Sequence, residues 1–208
     1  MNTLELASHG PVIPVIVINR LDDAVPMAQA LVDGGVRVLE VTLRTPVALR
    51  CMEAIARAVP EAIVGAGTVR SVADAQAARD AGCRFAVSPG YLHEVGIACH
   101  ELGLPLLPGV ATASEVMQAN ADGYDFLKFF PATAAGGIAM LKALAGPFPD
   151  VAFCPTGGIT AETAPQFLAL PNVCVCGGSW LTPSEAVEAR DWARITRLAR
   201  ETAQLRRG

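Results

Sequence analysis

"VRVLEVTLRTPVALRCMEAIARAVP", residues 36–60, changes its periodicity part-way through. The opening "VRVLEVTL" is apolar and β-branched around Arg37 and Glu40, and it reads as a strand. The remainder reads as a helix. Thr45 is placed to cap it and Pro46 to occupy its first position, while Val47, Cys51, Ala54, Ile55 and Ala58 share one face. One strand, one turn and one helix make a βα unit.

The same alternation recurs along the chain. Further strand-like runs are "VIPVIVI" (12–18), "AIVGAGT" (62–68), "RFAVSPG" (84–90), "PLLPGVA" (105–111), "FLKFFPA" (126–132), "AFCPTGG" (152–158) and "VCVCGGS" (173–179). With 36–43 they make eight, spaced by roughly the length of one strand-loop-helix unit. The helices between them carry start and stop signals: Ser71 with Asp74 and then Gly82, and Thr112 with Glu115 and then Gly123. A short and a long helix are expected near the carboxyl end. Eight units in 208 residues, with no linker or low-complexity segment, predict an α/β fold. The expected form is a single domain over residues 1–208, a closed (β/α)₈ TIM barrel with N-terminal and C-terminal helical segments. The competing open sheet would carry a glycine fingerprint after its first strand, where this chain has "NRLDDAVP".

Composition narrows the function. The chain is 52% hydrophobic and 17% charged, with net charge −4. Nothing there predicts a nucleic-acid or membrane partner. The Arg-rich end "RITRLARETAQLRRG" reads as a solvated helix face. "MNTLELASHG" lacks the basic start of a signal peptide, so a soluble cytoplasmic protein is expected. Six cysteines in this length form no disulfide framework, and no metal-ligand spacing is present. Cys174 and Cys176, two apart, should face one side of a strand as buried thiols. His9, His93 and His100 read as structural or surface residues.

Three residues at the strand ends exceed what tight turns require. Lysine occurs only at Lys128 and Lys142, against 16 Lys and Arg together. A lysine set among phenylalanines therefore points to a need for an amine, because arginine does not lose its proton. Burial and a neighbouring cation would favour the neutral, nucleophilic form; a buried pair with Glu40 is the structural alternative. Glu40 shares strand parity with Arg44, so the two form either an ion pair closing the mouth or a general base beside a carboxylate clamp. "PTGGIT" and "CGGSW" place paired glycines at the usual phosphate corner of such a fold. An isomerase or decarboxylase, a metal-dependent aldolase, and a sugar-phosphate binder without activity all remain compatible with these residues.

The motifs "VPMAQALVDGGVRVLEVTLRT", "VPEAIVGAGTV", "SPG", "KFFPA", "FCPTGGI" and "GGSWL" span nearly the whole chain. Together they resemble the bacterial 2-dehydro-3-deoxy-phosphogluconate aldolases, some of which also act on 4-hydroxy-2-oxoglutarate. The resemblance implies a class I aldolase without metal or cofactor, a phosphorylated 2-keto acid as substrate, and a homotrimer. It implies that Lys128 forms the Schiff base and Glu40 is the general acid/base. Arg44, Thr68 and Pro89 would surround the pyruvate moiety, with Arg44 on its carboxylate. Phe130 would line the pocket and Thr156 face the substrate hydroxyls. Gly157, Gly158, Gly178 and Ser179 would bind the phosphate. The loop "ATAAGGIAM" departs from the family's acidic or polar variants and leaves fine specificity open.

Overall fold

In the computed structural model, residues 3–205 are described. The strands are β1 (Val12–Ile16), β2 (Val38–Thr42), β3 (Ile63–Gly67), β4 (Phe85–Val87), β5 (Leu106–Leu107), β6 (Gly109–Val110), β7 (Phe126–Phe129), β8 (Ala152–Pro155) and β9 (Cys176–Gly178). The first five helices are α1 (Thr3–Leu6), α2 (Ala24–Asp33), α3 (Ala48–Ala58), α4 (Val72–Asp80) and α5 (His93–Glu101). The others are α6 (Ala113–Ala121), α7 (Gly137–Leu144), α8 (Ala164–Leu168), α9 (Ser184–Glu188) and α10 (Trp192–Ala203).

Each expected run contains a strand, yet the closed eight-stranded TIM barrel is corrected. The strands form two parallel sheets, one of six in the order β5-β4-β3-β2-β1-β9 and one of three in the order β6-β7-β8. One seam falls at Pro108. Proline has no N–H to give to a ladder, and it splits the run 105–111 into β5, paired with β4, and β6, paired with β7. At the other seam β8 and β9 are linked only by isolated bridges, Phe153 to Val173 and Thr156 to Gly177. Counting units along the chain does not reveal where the hydrogen-bond ladder breaks.

Parallel strands covered on both faces must be apolar on both, and β2 and β3 are buried at every position. Ile13, Val38, Ile63 and Phe85 from the larger sheet meet Phe126 and Cys154 from the smaller one in a shared inner cluster, which Leu6 and Ala7 also join. The helices pack outside. Leu39, Val41, Cys51, Met52 and Ile55 belong to the cluster behind the six-stranded sheet. Phe129, Leu141 and Phe153 belong to the one behind the three-stranded sheet.

Local signals succeed unevenly. Thr112 and Glu115 make the complete capping box of α6, and the Ser71 side chain caps α4. Helix α3, however, begins at Ala48 with no side-chain cap. Thr45 instead donates its hydroxyl to the Ile18 carbonyl at 2.7 Å, tying the turn after β2 to the end of β1. Its buried face is Ala48, Cys51, Met52 and Ile55, and Ala58 is exposed. Cys174 lies before β9 and packs on the inner cluster while Cys176 joins an outer one, so the two thiols do not share a face. The final "RRG", residues 206–208, lies outside the described residues, as do residues 1 and 2. Among the described residues no helix is long and apolar enough to cross a membrane.

Candidate active site

Lys128 lies on β7 of the smaller sheet and Glu40 on β2 of the larger. Lys128 Nζ donates to Glu40 Oε1 at 3.1 Å, and the two side chains are only 5% and 4% exposed. The ammonium also sits 5.2 Å from the centre of the Phe130 ring. This is the buried pair that the sequence offered as an alternative; Glu40 bonds to Lys128, and no Glu40–Arg44 ion pair is formed. Two unpaired charges there would carry a heavy desolvation cost, which the contact offsets.

The remaining expected residues lie at or just beyond the carboxyl ends of the parallel strands. Arg44 is exposed two residues past β2, and its Nε donates to Thr68 Oγ1 at 3.3 Å, just past β3. Thr68 has φ of 64°. A β-branched residue in the left-handed region is strained, and such strain gathers where side-chain placement matters. Pro89 is half-buried two residues past β4, and its backbone lies against Gly109, the residue in register with Lys128.

Thr156 is buried just past β8. Its hydroxyl is 3.4 Å from the Cys154 carbonyl and 3.8 Å from the Cys154 thiol. Burial pushes that thiol up to about 12, against the opposing charge of Lys128. It is therefore a filler of the space in register with Lys128 rather than a nucleophile. The bridge between Thr156 and Gly177 sets the turn of Gly157 and Gly158 beside Gly178 and Ser179. Gly157 and Gly158 have φ of 106° and 75°, values that turn the chain tightly and suit residues without a Cβ. The Thr133 side chain lies against Gly158, so the divergent loop after β7 reaches this corner.

The sequence reading passed over two arrangements. Buried Asp23 is held between Arg20 Nε at 2.7 Å and Arg190 Nε at 3.0 Å, joining the start of α2 to the turn after α9. Asp122 accepts from the Tyr91 hydroxyl at 2.6 Å and contacts His93 Nδ1 at 2.8 Å. Arg190, Tyr91 and His93 are distant along the chain from the carboxylates they meet, which no local pattern encodes; Arg20 alone is local, three residues before Asp23. A cavity of about 450 Å³ lies elsewhere, at the amino ends of β5 and β7, lined by Leu104, Pro105, Tyr124 and Asp125. Chemistry rather than cavity size locates the site.

An amine among aromatic rings, with a carboxylate in reach of its proton, is the equipment of lyases that work through an imine. The KDPG and KHG aldolase family matches residues 4–198. The chain is 53% identical to the KHG/KDPG aldolase of Escherichia coli (strain K12) over 96% of its length and 93% of the relative's. It is 50% identical to the 2-dehydro-3-deoxy-phosphogluconate aldolase of Pseudoalteromonas atlantica, over 97% of its length and 94% of the relative's. The crystal structure of KDPG aldolase from Legionella pneumophila, with pyruvate captured at low pH as a covalent carbinolamine, superposes with a TM-score of 0.96. The two are 48% identical, over 98% of this chain and 99% of that one. The chain belongs to the KDPG and KHG aldolase family, and it is an aldolase, a carbon–carbon lyase.

Proposed function

We propose that this enzyme cleaves 2-dehydro-3-deoxy-6-phosphogluconate to pyruvate and glyceraldehyde 3-phosphate, and 4-hydroxy-2-oxoglutarate to pyruvate and glyoxylate. The observation that carries the reading is the buried 3.1 Å contact between Lys128 and Glu40. A proton passed along that contact leaves Lys128 a free amine and Glu40 an acid. The amine attacks the C2 ketone, and the departing hydroxyl takes the Glu40 proton and leaves as water, giving an iminium. Glu40, ionised again, accepts the C4 hydroxyl proton, and the C3–C4 bond breaks with its electrons flowing into the iminium. The aldehyde leaves. The enamine is protonated at C3, and water hydrolyses the resulting iminium, releasing pyruvate and the amine.

Arg44 holds the pyruvate carboxylate in a forked hydrogen bond, with Thr68 setting its position and Pro89 and Phe130 as walls. Thr156 faces the substrate hydroxyls. Gly157, Gly158 and Gly178 hold the phosphate through backbone N–H groups that no Cβ obstructs, and Ser179 binds it beside them. Binding at this end, remote from the reacting bond, orients it. The enzyme works as a cytoplasmic homotrimer. Support for assembly comes from exposed Leu92, which shares an apolar cleft with Val69, Pro89 and Val95, and light scattering tests it.

The deciding experiment is borohydride reduction in the presence of pyruvate, followed by peptide mass spectrometry. A reduced pyruvyl adduct on Lys128 is expected. A folded protein without that adduct would remove Lys128 from the chemistry.

A further inference from the structure

Two glycines on the strand faces that carry the site are hollows shaped to its side chains. A Cβ built on Gly67 would meet Glu40 before anything else: its nearest neighbours are Glu40 Oε1, Glu40 Cγ at 2.7 Å and Glu40 Cδ at 3.0 Å. A Cβ built on Gly177 would meet only Thr156 at such range: Oγ1, Cγ2 at 2.8 Å and Cβ at 2.9 Å. Neither glycine has the positive φ that would explain its identity by backbone conformation. What each position requires is the absence of a side chain.

The register shows why this matters for Glu40. Its partner across the ladder is Gly65, whereas Gly67 faces Thr42. The Glu40 side chain therefore leans along the strand toward the carboxyl end and lies down over Gly67. From there its Oε1 meets Lys128 Nζ at 3.1 Å. A close-packed interior leaves no slack, so a methyl at Gly67 forces Glu40 into another rotamer and lengthens that contact.

We propose that Gly67 and Gly177 are positioning residues for the aldol cleavage, setting the carboxylate of Glu40 and the hydroxyl of Thr156 by leaving them room. This rests on the proposed roles of Glu40 and Thr156. Gly67→Ala is expected to lower kcat by about 10²-fold, the scale of a displacement near 1 Å at a reacting group. The pyruvyl adduct on Lys128 should still form. Alanine at position 40 ends at Cβ and lacks all three atoms that the added methyl would meet. Gly67→Ala placed in a Glu40→Ala background should therefore cost no further part of the residual rate. Gly177→Ala should change the preference between C4 epimers, with little change in pyruvate trapping.

The full-length enzyme, assayed by pyruvate release, separates the outcomes. Loss in the Glu40 background but not in the Glu40→Ala background supports the proposal. Equal loss in both, or a wild-type rate in Gly67→Ala, overturns it. If Gly67→Ala alone fails to fold, restoration of folding by Glu40→Ala together with Lys128→Ala supports the clash, and failure to restore it counts against the proposal. A wild-type rate in Glu40→Asp and Glu40→Gln would instead remove Glu40 from the mechanism, a different failure from that of the glycine.

Discussion

Lys128 Nζ and Glu40 Oε1 stand 3.1 Å apart across the junction of two sheets, 88 residues apart in the chain. Neither sheet holds the pair by itself. Lys128→Ala leaves a carboxylate buried without its partner, and Glu40→Ala leaves an ammonium in the same position. Each should destabilise the fold by about 3–5 kcal/mol, and the double variant should lose less than the sum. Urea titrations of the four proteins check this; strict additivity would mean the two groups do not depend on each other.

Lys128→Arg keeps the positive charge and can still face Glu40. It has no amine that forms an imine. The variant should fold, by circular dichroism, yet show neither turnover nor a borohydride-trapped adduct. Measurable cleavage in Lys128→Arg would rule out the covalent route.

Glu40→Gln keeps the side-chain volume over Gly67 and removes the proton acceptor. Cleavage should slow by roughly 10²–10⁴-fold. Pyruvate trapping on Lys128 should still occur but form more slowly, because the amine and its pocket remain while the ammonium must lose its proton to water instead of to Glu40. Parallel loss of trapping and turnover would assign Glu40 to imine formation rather than to bond cleavage.

Thr68→Gly should move stability and binding in opposite directions. Releasing a threonine at φ 64° relieves strain on the order of 1 kcal/mol, partly offset by the freer unfolded chain. The same change removes the hydroxyl that accepts from Arg44. The expected result is a modestly raised melting temperature with a raised KM. A lowered melting temperature would show that the strain term is outweighed.

Asp122 carries a pH dependence of stability. The Tyr91 hydroxyl first, and His93 second, hold its carboxyl below its ordinary value of 3.8. A carboxyl depressed in the folded state stabilises fully above its unfolded value, and the contribution fades as pH falls through the folded one. Asp122→Asn should therefore melt earlier than the parent near neutral pH, and the two should converge under acid conditions below about pH 4. A gap that persists in acid would assign the effect to packing of Tyr91 on Tyr124 instead.

Much of the architecture was legible locally. The alternation of apolar and helical runs located the strands, since burial on both faces writes itself into contiguous apolar residues. The capping box of Thr112 and Glu115 was legible for the same reason, being complete within four residues. Thr45 misled because its hydroxyl serves a carbonyl just past another strand, Ile18 O, rather than its own helix. The ladder breaks at Pro108 and between β8 and β9 were also out of reach, because ladder continuity depends on how neighbouring strands meet.

The sequence alone determined the candidate chemistry: an isolated lysine among phenylalanines, a glutamate and an arginine on one strand, glycine pairs near the end, and motifs dense enough to indicate the family. Tertiary structure alone decided which neighbours these groups meet. It set Glu40 against Lys128 rather than Arg44, gave Arg44 to Thr68, and made Gly67 and Gly177 the hollows that receive Glu40 and Thr156. The division has a physical cause. Periodicity and capping are satisfied within a few residues, whereas a buried charge takes its partner, and a side chain its space, from whatever strand the fold brings alongside.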